Sequence, residues 1–258
     1  MLTCPCHTSE FLKKTNLGVE AHISVSEQLE NWERYVPFVK GVHLPYAHLN
    51  LAALDDELRK KSIEKIKECI DIGLQYPVNR MVMHTLGIEV WGGGTIGTYE
   101  RMIDGMREIA DYALTKNITI CVENSAHHIP ERIIYGVSAE EWYKIQKDVN
   151  RSNVLLTLDT SHAATAAAFL KKDATAQERF DYLFEFLKYP DLIGWVHWSD
   201  SLLTNCETYM DDLHLYVGEG DLPREFHKKI KSLNVTKTLE HRYPEEDVLK
   251  ELAFIESL

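Results

Sequence analysis

Short apolar runs alternate with longer amphipathic stretches from one end of the chain to the other. The runs are rich in Val, Ile and Leu without strict alternation of apolar and polar residues, which is typical of strands buried on both faces. We predict eight strands, at Met1–Cys6, Leu17–Ile23, Gly41–Leu44, Arg80–Met83, Ile118–Val122, Val154–Leu158, Leu192–Val196 and Val235–Leu239.

The stretches between these runs carry the period of helices. Apolar residues recur at helical spacing in three of them: Ile63, Ile66 and Ile70; Met102, Met106, Ile109, Ala110 and Ala113; and Phe180, Leu183, Phe184 and Leu187. Leu249–Leu258 is predicted to form the last helix. Strands that alternate with helices indicate a parallel α/β fold, and eight of them favour a closed (β/α)₈ TIM barrel, with a doubly wound open sheet as the alternative. The chain has no linker or shift in composition, so a single domain over residues 1–258 is expected.

Composition narrows the class of protein. The 258 residues carry a formal net charge of −12, with 45% hydrophobic and 26% charged residues, which is ordinary for a globular protein. No run approaches the roughly 18 apolar residues of a membrane span, and the N-terminal segment does not have the order of charges found in a signal peptide. The five scattered cysteines do not resemble a disulfide framework, so a reducing cytoplasm is expected. The acidic balance disfavours broad non-specific binding to nucleic acid.

A His, Asp or Glu stands at or just after the end of six predicted strands. These residues are His43, His84, Glu123, Asp159, His197 and Glu240. In a barrel the carboxyl ends of the strands converge on one rim, where active sites are built. A single such residue is most often a cap or an ordinary buried polar group. Six in succession indicate a metal site, because burying several carboxylates together without cations is very costly.

A second group of polar residues follows the sixth and seventh strands. His162 comes three residues after Asp159, and Asp212 and His214 precede the turn Gly218-Glu219-Gly220. Spacing of two lets Asp212 and His214 point the same way if the segment is extended. Imidazoles and carboxylates together are the ligands that zinc or manganese select, so these residues are expected to form a separate His/Asp/His site.

These motifs resemble the signatures of endonuclease IV (AP endonuclease family 2), within the xylose isomerase-like TIM barrel superfamily. The matching segments are Leu-Thr-Leu-Asp159-Thr-Ser-His162-Ala, His197-Trp-Ser-Asp200, Asp212-x-His214-x-x-x-Gly218-Glu219-Gly220, Val122-Glu123-Asn124-Ser125-Ala126, and His43-Leu-Pro45-Tyr46 followed by Asn50-Leu51. The resemblance extends from about Gly41 to Glu240. It implies a DNA-repair hydrolase that cuts the phosphodiester 5′ to abasic sites in DNA with three zinc ions.

The resemblance also implies a set of ligands for each ion. One ion would be held by His43, His84 and Glu123, and a second by Glu123, Asp159, His197 and Glu240. The third would be held by His162, Asp212 and His214. The implied reaction is metal-assisted hydrolysis of a phosphate ester, with Glu123, Asp159 and Glu240 at the reacting centre. Two or three divalent ions are expected, as zinc or manganese.

Several loops depart from the family pattern. The region after the second strand (residues 24–34) is acidic, the loop at 201–212 contains no Lys or Arg, and Leu213 and Ser199 stand where Arg or Lys and Asn are usual. Trp91, with Gly92–Gly94, and Trp198 could instead form the wall of a pocket for a small sugar, and packing in the core or at the rim is the equal alternative for them. A single-metal ketose isomerase or epimerase that uses Glu123, Asp159, His197 and Glu240 is therefore the alternative, and a metal-binding protein without catalysis is the third class.

Two smaller features are assigned no chemistry. Cys4-Pro5-Cys6-His7 is interpreted as ordinary buried thiols at the first strand rather than half of a zinc motif, and His127-His128 as a solvated loop.

Overall fold

The structure is a computed structural model that describes residues 2–3, 7–23, 32–85, 97–126, 134–171, 173–203, 212–241 and 244–258. Its strands are β1 (Leu2–Thr3), β2 (Val19–His22), β3 (Val39–His43), β4 (Arg80–His84), β5 (Thr119–Glu123), β6 (Val154–Asp159), β7 (Ile193–Trp198) and β8 (Thr236–Leu239). The α-helices in these ranges are Ser9–Thr15, Asp56–Gly73, Tyr99–Leu114, Ala139–Val149, Thr160–Leu170, Ala176–Glu185, Arg224–Ser232 and Glu245–Ser257.

All the strands belong to one eight-stranded sheet in the order β1-β8-β7-β6-β5-β4-β3-β2. Every paired ladder is parallel, and from β2 to β8 strands that are consecutive in the chain are neighbours in the sheet. Parallel neighbours require crossover connections, which helices supply. The (β/α)₈ TIM barrel predicted from the sequence is confirmed, and the doubly wound sheet is excluded.

The predicted strands and helical stripes are confirmed with small shifts at their ends. Each predicted run overlaps an observed strand, and Ile63, Ile66 and Ile70 of Asp56–Gly73 and the apolar stripe of Tyr99–Leu114 are buried. The last helix begins at Glu245 rather than Leu249, because Pro244 supplies an extended residue at its N-terminus.

The barrel interior is filled in layers. Val82, Cys121 and Trp195 form a buried cluster, and Leu155 packs against it. Because side chains on a strand alternate with a period of two, the residues two places further along these strands rise directly above that cluster. For β4, β5 and β7 these residues are His84, Glu123 and His197. The apolar layer therefore forms the floor of the predicted site.

Two further findings bear on the class of protein. Within the described ranges no helix combines the length and apolar character that crossing a membrane requires. Cys69 and Cys121 are buried, whereas Cys4, Cys6 and Cys206 lie outside the described residues.

The indole of Trp195 fits into the barrel because Gly41 of β3 has no side chain. A Cβ added at Gly41 would overlap the indole ring. We expect Gly41→Ala to lower the free energy of unfolding by about 1–3 kcal/mol, the usual cost of overpacking, in chemical denaturation. Gly105→Ala is the matched control, since a Cβ there meets no atom closer than 3.4 Å and helical alanine is favoured. Equal stability of the two variants would contradict this account.

Candidate metal centre

The carboxyl ends of the strands bring all nine predicted ligands to one rim of the barrel. Strand register sets their heights: His84 pairs with Glu123 across β4 and β5, and Asp159 pairs with His197 across β6 and β7. Glu240 follows β8 directly. Side chains that the sequence separates by up to two hundred residues thus come within a few ångströms of one another.

Glu123 lies between a pair of histidines, His43 and His84, and a single histidine, His197. The Nε2 atoms of His43 and His84 each lie 3.4 Å from Glu123 Oε2. The other carboxylate oxygen, Oε1, lies 3.2 Å from His197 Nδ1. Glu123 is almost fully buried, with 1% of its surface exposed. This carboxylate therefore faces two sets of nitrogen ligands with different oxygens, which is the arrangement expected of a bridging ligand.

Three carboxylates approach Nδ1 of His197 and form with it the second group of predicted ligands. Besides Glu123, Glu240 Oε2 lies 2.7 Å and Asp159 Oδ2 lies 3.8 Å from this nitrogen. The four residues each offer a ligand atom within 4.8 Å of one another. A single ring nitrogen cannot donate to three carboxylates, so the geometry suits a cation shared among all four.

The third group lies beside the second. Asp212 Oδ2 is 3.2 Å from both His162 Nε2 and His214 Nε2. The extended conformation predicted for Asp212–His214 is wrong at His214, whose φ of 44° is left-handed. The next residue, Leu215, forms an isolated antiparallel bridge with Asp200. That bridge directs the chain, and the left-handed residue turns the imidazole back toward Asp212.

The polar atoms of the rim fit a divalent cation. Asp159 Oδ2, Asp212 Oδ1 and His214 Nδ1 are buried, and the described part of the chain gives none of them a hydrogen-bond partner. A buried polar atom without a partner costs free energy. Carboxylate and imidazole ligands at such positions are those that Zn²⁺ and Mn²⁺ accept.

The crowding of charges shifts the pKa values of these groups. Burial alone would lower the pKa of His214, but Asp212, Asp159 and Glu240 outweigh it and raise the pKa to about 10. The same competition raises the pKa of His162 and of His197 well above the ordinary value. Burial raises the pKa of Asp159 to about 7, although His162 and His214 oppose it. Positive charge is therefore strongly favoured among these carboxylates.

Neighbouring groups determine which ring nitrogen of two histidines is free to bind. His43 Nδ1 donates to the Leu44 carbonyl oxygen at 2.8 Å, and His162 Nδ1 donates to the Asn124 carbonyl oxygen at 2.7 Å. A carbonyl oxygen only accepts, so these Nδ1 atoms carry the protons. In both residues Nε2 is left as the ligand atom, facing Glu123 or Asp212.

Asp159 also shapes the start of a helix. Its Oδ1 accepts from the backbone N–H of His162 at 2.8 Å, capping Thr160–Leu170, while Oδ2 faces the centre. Asn124 clamps the backbone of Asp159 from both sides, accepting from its N–H at 2.7 Å and donating to its carbonyl at 3.0 Å. Three hydrogen bonds therefore hold Asp159 in place, two at its backbone and one at Oδ1, and none of them uses Oδ2.

Sequence reasoning missed two residues of β2. Glu20 is buried beneath His197, and His22 stacks on His43 with ring centroids 4.1 Å apart. Burial and the neighbouring His43 lower the pKa of His22 to about 3, although Glu20 and Glu240 oppose this. The signal was present, since a charged residue and a histidine at spacing two interrupt an otherwise apolar strand.

Other residues singled out from the sequence lie elsewhere. Trp198, for which a pocket wall and core packing were the alternatives, is 1% exposed and donates its indole N–H to His227 Nδ1 at 3.0 Å, so it is a core residue and not a pocket wall. Its side chain faces the helices rather than the rim. Trp91, Gly92–Gly94, His127-His128 and most of the 24–34 and 201–212 loops lie outside the described residues.

Comparison with known proteins agrees with this fold. The family described as xylose isomerase-like TIM barrel matches residues 25–258. The chain is 26% identical over 182 residues to an uncharacterized protein of Methanocaldococcus jannaschii, a match that covers 70% of this chain and 56% of that protein. It is 26% identical over 198 residues to a probable endonuclease 4 of Sulfurihydrogenibium sp., covering 75% of this chain and 65% of that protein. In both matches the chain spans less than two thirds of the relative.

A solved structure of a D-tagatose 3-epimerase-like protein superposes with a TM-score of 0.66 at 20% identity, covering 99% of this chain and 98% of that chain. At this identity the likeness shows the fold alone.

Binding of Zn²⁺ at neutral pH is expected to release protons. The raised pKa values of His162, His197 and His214 mean that a cation must displace protons from these rings. Affinity should therefore fall as the pH is lowered from about 8 to about 6. Isothermal titration calorimetry in two buffers of different ionisation enthalpy measures the protons released, and identical apparent enthalpies would contradict this expectation.

Proposed function

Because the chain belongs to the family of xylose isomerase-like TIM barrels, we propose that it is a metal-dependent phosphodiester hydrolase resembling endonuclease IV. In this proposal it cleaves DNA at abasic sites with a multinuclear centre of zinc or manganese. The ligands would be His43, His84, Glu123, Asp159, His162, His197, Asp212, His214 and Glu240.

The observation that carries the proposal is the third group of ligands. A single-ion isomerase would need only Glu123, Asp159, His197 and Glu240. Here Asp212 Oδ2 also lies 3.2 Å from the imidazoles of both His162 and His214. A chemistry with one ion gives this triad no role. Three adjacent groups of ligands instead support a reaction in which several positive charges act on one substrate, as in phosphodiester hydrolysis by multinuclear sites.

Divalent ions bound at this rim would activate water and neutralise charge on a phosphate. Glu123 faces both histidine groups with separate oxygens, so it would hold two ions at a constant spacing. Glu240 is the most open of the site's carboxylates, with 33% of its side chain exposed against 1% for Glu123. It is therefore the residue best placed to accept a proton from a group that enters from solvent.

A single-metal ketose epimerase or isomerase is the second candidate. The chemistry of the rim near the third group supports it. Leu213, between Asp212 and His214, is 40% exposed and uncharged, and the printed 201–212 segment has no Lys or Arg. Such a rim gives a polyanion little attraction, whereas a small neutral sugar does not require any.

Metal content separates the two candidates. We expect the purified protein to hold two or three equivalents of zinc or manganese by elemental analysis. Asp212→Asn is expected to remove one equivalent, because it weakens only the third group, while Asp221→Asn at the same rim loop serves as a control with unchanged content. One labile ion that Asp212→Asn leaves in place would favour the isomerase, and the absence of metal would overturn both candidates.

Cleavage of a duplex that contains an abasic site tests the reaction itself. We expect Glu123→Gln to lower the cleavage rate by at least about 100-fold, since loss of even an outer partner of a metal ligand costs 10–100-fold. Glu225→Gln, which changes an exposed carboxylate on Arg224–Ser232, should keep wild-type activity. An inactive wild-type protein that instead epimerises D-tagatose would reverse the assignment.

A further inference from the structure

Glu20 lies one layer below the ligands, inside the barrel. It belongs to β2, its side chain is buried, and its register partner in β3 is Gly41. Both of its carboxylate oxygens approach His197 Nε2, Oε1 at 3.2 Å and Oε2 at 3.1 Å. The other ring nitrogen of His197, Nδ1, faces the carboxylates of the second group. One imidazole thus connects the floor of the barrel to the rim.

Glu20 is itself held in place by groups that can only donate to it. The indole N–H of Trp195 donates to Glu20 Oε2 at 3.0 Å, and the hydroxyl of Thr238 donates to the same oxygen. The indole also donates to Thr238 Oγ1 at 2.9 Å. The buried carboxylate therefore has three donors around it, from Trp195, Thr238 and His197. These hydrogen bonds order the side chain and offset the free energy of burying its charge.

We propose that Glu20 is a positioning residue for the metal centre, holding the Nε2–H of His197 so that Nδ1 is presented as a ligand. The inference rests on the proposed function, because it requires that His197 bind a metal. His43 and His162 are oriented by backbone carbonyls, which carry no net charge. His197 alone among these three has a carboxylate as its outer partner, and that makes its imidazole a stronger electron donor.

The amide of glutamine provides the sharpest test of this role. Glu20→Gln keeps the size of the side chain but can place an NH₂ group against His197 Nε2. The ring then loses the charged acceptor of its Nε2–H and keeps only a neutral carbonyl oxygen, which Trp195 and Thr238 share. This weakens the preference for the proton on Nε2 over Nδ1, where a metal must bind. The match to Trp195 and Thr238 can still be made through the remaining carbonyl oxygen.

Titration with Co²⁺, followed by its visible absorption and by competition with a chelating dye, measures the effect. We expect Glu20→Gln to weaken one equivalent of bound Co²⁺ by about 10–100-fold and to change the absorption bands of that equivalent. Glu20→Asp keeps the carboxylate on a shorter side chain and should restore part of the affinity. It also provides the measurement if Glu20→Gln does not fold.

Glu251→Gln is the matched control. Glu251 is another buried carboxylate paired with a buried histidine, with Oε2 2.7 Å from His241 Nε2, and it lies outside the nine ligands. The control should lose stability in thermal unfolding and keep the Co²⁺ affinity and spectrum of the wild-type protein. An equal loss of affinity in both variants would mean that Glu20 acts only through stability, and it would overturn the inference.

Two further outcomes distinguish this inference from the proposed function. Glu20→Gln that binds Co²⁺ as the wild-type protein does would overturn the role of Glu20 and leave the metal centre intact. Wild-type protein that binds no Co²⁺ would overturn both.

Discussion

The constraint on which the structure depends is the burial of several carboxylates around a single point. Glu123, Asp159 and Glu240 offer ligand atoms within 4.8 Å of one another, Asp212 lies beside them against His162 and His214, and burial alone would make each carboxylate costly to ionise. Histidines interleaved among them balance part of this charge, and the raised pKa of His162, His197 and His214 is the direct consequence. A divalent cation satisfies the same demand with fewer groups, because it coordinates several oxygens at once.

Contacts elsewhere in the barrel hold these side chains in one orientation. The imidazoles of His43 and His162 donate from Nδ1 to the carbonyl oxygens of Leu44 and Asn124, and Asp159 Oδ1 accepts from the first turn of Thr160–Leu170, so the atoms that do not face the centre are occupied. Below the rim, the missing side chain of Gly41 admits the Trp195 ring, and Trp195 in turn supports Glu20. Packing at the floor and chemistry at the rim are thus parts of one column of contacts.

Much of this arrangement could be predicted from the sequence. The eight apolar runs and the polar residue at the end of each of six strands place the ligands on one rim, because the period of a strand and the direction of a parallel barrel leave little freedom. Glu20 escaped because only residues at strand ends were considered, whereas its side chain acts from the middle of β2. The left-handed φ of His214 depends on the bridge between Leu215 and Asp200, a tertiary contact that local spacing does not encode. For Trp198 the sequence left a pocket wall and core packing open, and alternation along β7 decides for the core, since it directs Trp198 away from the interior that His197 faces.

The span of the Glu20 contacts has a consequence for how the protein is made. Glu20 reaches His197 across 177 positions of the chain and Thr238 across 218. On a ribosome, the first strands therefore emerge long before the residues that complete the centre. Loop closure over such distances is slow compared with local helix formation. In the proposed function, His43 and His84 would offer an ion only a partial site until β8 has joined the sheet, and selection among cations would be deferred to the finished barrel.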